Sequence, residues 1–168
     1  MRVLENITYD ELQISDYATF GKTLSDENLV LFAASQVDLP LNSLTIGYGM
    51  WASALISTAF DKVIPGPGSI YLDQNLSFKQ KVERGDTLTV KLTVLQKLEN
   101  HRVLFQCDVQ NQDGEIVVSG ESTVIAPIDK VSVEHTSLPH IHIQDWSAIK
   151  ANSGAAFLHP AWRIFWTG

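Results

Sequence analysis

Thr45-Ile46-Gly47-Tyr48-Gly49-Met50-Trp51-Ala52-Ser53-Ala54-Leu55-Ile56-Ser57 is the stretch that decides the fold. Glycines open it and an apolar run rich in small residues follows. Small side chains let a helix lie close to neighbours on several sides, so the run reads as a buried central helix reaching Phe60 or Asp61. Ile64-Pro65-Gly66-Pro67-Gly68 then stops it. Gly47 and Gly49 permit close approach of the backbone at the helix start. Unpaired N–H groups and the positive end of the helix dipole lie there too, and they suit an acyl oxygen or another anion. Tight packing of a helix on a sheet explains the same glycines equally well.

Downstream the periodicity changes. Residues 69–82, 87–94, 103–109 and 115–125 each alternate apolar and polar side chains, the mark of strands. Gly85-Asp86, Glu99-Asn100 and Asn111-Gln112-Asp113-Gly114 supply the turns between them. Upstream, Tyr9-Asp10-Glu11-Leu12 reads as a short turn and Tyr17–Leu24 as a strand. Ser25 reads as the N-cap of a further helix, with Leu29, Val30, Phe32 and Ala33 on its apolar face, broken at Pro40. Four long strands in meander order after one buried helix predict an α+β hot-dog fold, a long central helix wrapped by an antiparallel sheet. Such a sheet leaves an edge strand that pairs with a second copy, so a homodimer is expected.

The chain has 168 residues, an apolar fraction of 45% and a net charge of −7. That suits a soluble domain and argues against a nucleic-acid or anionic-membrane surface. One domain is expected over residues 1–130, with residues 131–168 as an extension that carries Trp146, Trp162 and Trp166. The single cysteine, Cys107, excludes an internal disulfide and reads as a small buried hydrophobe. No stretch is long and apolar enough to span a bilayer. The first residues show no apolar signal region, so a cytoplasmic protein is expected.

Three motifs together resemble the MaoC-like hydratases, the hot-dog relatives of (R)-specific enoyl-CoA hydratase. They are Ile64-Pro65-Gly66-Pro67-Gly68-Ser69-Ile70-Tyr71-Leu72, Asn75-Leu76-Ser77-Phe78 and Gly85-Asp86-Thr87-Leu88-Thr89-Val90. Asn111-Gln112-Asp113-Gly114-Glu115 and Val124-Ile125-Ala126-Pro127 resemble the MaoC-like domain fused ahead of phosphate acetyltransferases or butyryltransferases. The resemblance covers residues 5–130. It implies addition of water to a 2-enoyl thioester such as an acyl-CoA, with no cofactor and no metal. An Asp and a His on the loop before the helix would do the acid–base work. N–H groups at the helix start would hold the thioester oxygen.

Carried onto this chain, the resemblance places Asp38 as the base and Tyr48 and Gly49 at the helix opening. Tyr48 stands where the family has a His, and Gly49 is its oxyanion donor. Gly47, Met50, Pro65, Gly66 and Gly68 are the substrate-binding residues. The His that should follow Asp38 is missing, because Leu41-Asn42 stands there and the loop is short. Residues 1–100 hold no histidine; the five are His101, His135, His140, His142 and His159. Losing one half of an acid–base pair costs about 100- to 10,000-fold in rate. The sequence therefore allows either an impaired hydratase or a degenerate hot-dog protein that binds acyl-CoA or serves as a dimerisation scaffold.

Other features have plainer readings. His140-Ile141-His142 would place both rings on one face of a strand, with His135 or His159 nearby, but a surface strand outweighs a metal site. Lys79, Lys81 and Arg84 read first as a solvated hairpin end and second as a contact for coenzyme A phosphates. Tyr71 and Asp73 lie one strand period apart, near the expected pocket.

Overall fold

The computed structural model describes residues 3–25, 28, 45–134, 141–142 and 165–166; for 45–48, 141–142 and 165–166 it describes the backbone alone. The central helix, α1, spans Thr45–Lys62. The strands are β1 (Val3–Glu5), β2 (Tyr17–Thr23), β3 (Ile70–Phe78), β4 (Thr87–Lys97), β5 (Arg102–Gln110), β6 (Ile116–Ile125), β7 (Ser132–Glu134), β8 (Ile141–His142) and β9 (Phe165–Trp166).

Five strands form one antiparallel sheet in the order β2-β4-β5-β6-β3. The alternating residues of β4 and β5 explain its inner face: Leu88, Val90, Leu92 and Val94, with Val103, Phe105, Cys107 and Val109, are buried. Helix α1 lies against that face through Trp51, Ala52, Leu55, Ile56, Ala59 and Phe60. Phe60 stands edge-on to Phe105 and to Tyr71, with ring centroids 5.1 Å and 5.4 Å apart. Residues Ala54, Ser57 and Asp61, three and four apart, stay exposed, so α1 keeps one stripe uncovered. This is the hot-dog arrangement that the pattern of one helix and alternating strands predicted.

The meander order needs correction. β4, β5 and β6 follow one another, but β3 pairs with β6 and not with β4. The cause lies in residues 79–86, which do not extend β3 to Val82 as alternation suggested. They leave the strand after Phe78 and cross the end of the sheet. Lys79 donates its N–H to Val117 O (2.9 Å), Val82 is buried, and Gly85 (φ 93°) turns the chain into β4. Gly120 of β6 makes room for the far strand. A Cβ there would overlap the Asn75 carbonyl oxygen and lie 2.9 Å from Leu76 Cα.

The Asn111–Gly114 hairpin is present, with Gly114 at φ 80° and Asn111 donating its N–H to Glu115 O (3.0 Å). Asn28 is helical, and Ser25 and Asn28 each accept the other's backbone N–H, at 3.3 Å and 3.4 Å, a reciprocal cap. The rest of that expected helix lies outside the described residues.

The pattern reading missed the β1–β7 ribbon, in which Val3 pairs with Glu134 and Leu4 with Val133. Three residues a side carry little periodicity, and side-chain bonds reinforce the backbone ladder. Asn6 is buried; its N–H donates to Val131 O (3.1 Å), its Nδ2 to Asp129 O (2.9 Å), and its Oδ1 accepts from Val131 N–H (3.0 Å).

Candidate active site

The start of α1 sits at the end of β3. Gly49 faces Phe78, and a Cβ on Gly49 would come within 3.3 Å of the Phe78 ring. A larger residue there would require the Phe78 ring to shift by a few tenths of an ångström. Met50 and Phe78 are both about half exposed, at 47% and 50%, so this corner presents apolar surface beside the helix N-terminus. Ser53, buried one turn further on, donates its hydroxyl to Met50 O (2.8 Å) and so uses up its own polar group.

The sequence-predicted residues fall into three groups. Asp38 lies outside the described residues. Gly47, Tyr48, Gly49 and Met50 are all in α1, with Tyr48 described by its backbone alone. Because α1 begins at Thr45, Gly47 is in the first turn, where N–H groups have no helical partner. Gly49 is in the second turn, where an N–H is ordinarily bonded to the carbonyl four residues back.

The third group is elsewhere. Pro65, Gly66 and Gly68 lie past the other end of α1, whose 18 residues span about 27 Å. There Pro65 and Gly66 seat the segment that follows β1. Pro65 O accepts from Ile7 N–H (2.6 Å) and Gly66 N–H donates to Phe60 O (2.9 Å). Gly66 (φ 93°) leaves 3.1 Å between its missing Cβ and Asn6 Cα. Within one chain these residues do not join the helix-start site. Of the two glycines, Gly66 is the one that a close backbone approach requires.

A polar group that the sequence flagged only as lying near the pocket completes the inner face at the free edge. The Tyr71 hydroxyl lies 3.0 Å from Ser122 Oγ and donates to Gln74 Oε1 (3.0 Å). Burial pushes the Tyr71 hydroxyl pKa above its ordinary value, so it stays protonated. Asp73 is exposed on the opposite side of the strand, beyond a bulge. Cys107 lies in the core, and burial pushes its thiol up to about 11, as expected for a packing cysteine. Among the described residues no group of three or more His, Cys, Asp or Glu could hold a metal. His135, His140 and His159 lie outside those residues, and His142 is described by its backbone only.

No family model matches the chain. Individual relatives do. The unliganded R-hydratase of Pseudomonas aeruginosa superposes with a TM-score of 0.77 at 40% identity, covering 84% of this chain and 99% of that one. The (R)-specific enoyl-CoA hydratase of Aeromonas caviae is 30% identical over 129 residues, 69% of this chain and 96% of its own length. A 3-hydroxybutyryl-CoA dehydratase of Methylorubrum extorquens is 30% identical over 125 residues, 74% of this chain and 79% of its own. The chain belongs to the (R)-specific enoyl-CoA hydratase family. In this family member a glycine-bearing helix start, in α1, lies against the apolar end of β3. No helix among the described residues is long and apolar enough to cross a membrane.

Proposed function

We propose that this chain catalyses the reversible addition of water to the double bond of a 2-enoyl-CoA. The observation that carries the reading is the 40% identity to an R-hydratase along 99% of that protein's length. The reaction needs a base to take a proton from water as its oxygen bonds to the β-carbon. It needs donors for the thioester oxygen as charge moves onto it, and an acid to return a proton to the α-carbon. Asp38 takes the base role and Tyr48 the acid role. The thioester oxygen lies on the first-turn N–H groups of α1, Gly47 among them. Gly49 lets the substrate come close, and Met50 offers it apolar surface.

A phenol titrates near 10 and an unperturbed carboxylate near 4, so this pair is poorly matched to neutral pH. The pairing supports slow turnover, about 100- to 10,000-fold below a complete Asp/His pair. The test is loss of the conjugated thioester absorbance of a short trans-2-enoyl-CoA, run beside Asp38→Ala. Hydration that vanishes in the variant supports the reading; none above background at high enzyme concentration removes it.

The lack of any histidine in residues 1–100 favours one rival, a hot-dog protein that binds acyl-CoA without turnover. Tight acyl-CoA binding with no hydration would establish it. A cytoplasmic homodimer is part of the same proposal. β3 ends the sheet and leaves Ile70, Leu72 and Phe78 exposed along its length, with no lysine or proline to discourage pairing. Sedimentation equilibrium should give twice the chain mass, and Leu72→Lys should halve it.

A further inference from the structure

Helix α1 and β3 run in opposite directions, so the two ends of the sheet differ. At one end Phe60 packs on Tyr71; at the other Gly49 meets Phe78. This second end carries the positive pole of α1. It is also the end crossed by residues 79–86, which pass from Phe78 over Val117 to the start of β4. The crossover bears Lys79, Lys81 and Arg84, all exposed, in a chain whose net charge is −7.

The acids nearby are engaged locally. Asp86 accepts from Glu83 N–H (2.7 Å) and from Gln112 Nε2 (3.1 Å), and Glu115 accepts from Asn111 Nδ2 (3.0 Å). Lys81 meets Glu83 at 3.0 Å in a bridge whose side chains are 58% and 66% exposed, a weak tie that an anion can replace. Arg84 has contacts of its own. Lys79 makes no side-chain hydrogen bond or ion pair among the described residues. Lys91 and Lys97, by contrast, lie over the rings of Tyr17 and Tyr9 at 4.7 Å and 4.3 Å. Among the described residues Lys79 thus has an uncommitted ammonium group, one residue beyond the ring that touches the helix start.

We propose that this crossover, with Lys79 and Lys81 foremost, holds the phosphate groups of the coenzyme A portion of the substrate. The inference rests on the hydratase reading above and extends it from the reacting end to the carrier. A thioester carbonyl on the first turn of α1 directs the pantetheine arm outward past Phe78. The segment from Phe78 to Arg84 covers at most about 20 Å of extended chain, a span along which the arm can lie. Two ammonium groups on a solvated strap attract a pyrophosphate or a ribose phosphate without bidentate geometry, and salt weakens such contacts. The strap therefore favours substrates on a phosphorylated carrier and does nothing for the acyl group.

The test compares two thioesters of the same 2-enoyl acid, one on coenzyme A and one on N-acetylcysteamine, which has no phosphate. In Lys79→Glu the KM for the coenzyme A ester should rise about threefold, and in the Lys79→Glu/Lys81→Glu double variant about tenfold. Added salt should raise KM in the unaltered protein and have less effect in the double variant. Both kcat values and the KM for the truncated ester should stay put, which also shows that the variants fold. Equal shifts on both esters, or none on either, overturn the proposal. If the unaltered protein turns over neither ester, the hydratase reading fails, and calorimetry with free coenzyme A decides for the lysines. Weaker binding in the double variant supports them; unchanged affinity or no binding overturns them.

Discussion

Replacing Gly120 by alanine tests the least local feature of the fold, the placement of β3 beside β6. The added methyl group would overlap the Asn75 carbonyl oxygen and stand 2.9 Å from Leu76 Cα and 3.0 Å from Asn75 C. All three are backbone atoms in a paired strand and none can rotate away. Overpacking of this kind costs about 1–3 kcal/mol, and the rigid neighbours place Gly120→Ala at the upper end. Alanine returns about 0.4–1 kcal/mol by restricting the unfolded chain. The net loss is about 2 kcal/mol, which lowers Tm by about 4–8 °C for a domain of this size. Gly21→Ala is the control. It too lies in a strand, but its nearest atoms, Leu88 O and Thr89 Oγ1, are 3.7 Å from the new methyl group, an ordinary contact. It should be neutral or slightly stabilising. Thermal unfolding followed by circular dichroism measures both. If Gly120→Ala melts with Gly21→Ala, β3 does not pass that close to β6 and the argument for the crossover is wrong.

Two further outcomes follow from titrating groups. Burial holds the Cys107 thiol at about 11, so it should resist a thiol reagent at pH 8 in the native protein and react at once in denaturant. Fast reaction of the folded protein would contradict the packed inner face. Glu11 is held near 2 by hydrogen bonds from Lys130 and from Thr8 N–H. Its folded pKa is below the ordinary 4.5, so its contribution is present above that value and lost as pH falls towards 2. Melting curves between about pH 5 and 2 should fall more steeply for the parent than for Glu11→Gln; parallel slopes would refute the link.

What was legible in the sequence was whatever has a short period. The small-residue run of α1, the alternation of β4, β5 and β6, and the Asn111–Gly114 turn all express local rules, and the structure bears them out. The partner of β3 was not legible, because alternation tells which face a residue takes and not which strand lies beside it. The crossover at residues 79–86 imitates strand alternation, with Val82 buried between charged neighbours, so β3 looked longer than it is. β1 and β7 are too short to leave a pattern.

The site divided along the same line. A glycine-bearing helix start is local and was found. The contact of Gly49 with Phe78 joins residues far apart in sequence and was not. Pro65, Gly66 and Gly68 came with a motif, and only the positions of Asn6 and Ile7 reveal that Pro65 and Gly66 hold the segment after β1.

The clamp at Asn6 has an architectural consequence. Because Val3 lies opposite Glu134, the path through the folded unit closes almost into a ring. A ring has no privileged opening. Trimmed to residues 3–134 and joined by a short linker at that point, the same unit should accept new ends at the Asn111–Gly114 turn, giving a circular permutant. It can also be spliced whole into a surface loop of another protein, which need separate its two strands by no more than the width of one β-ladder.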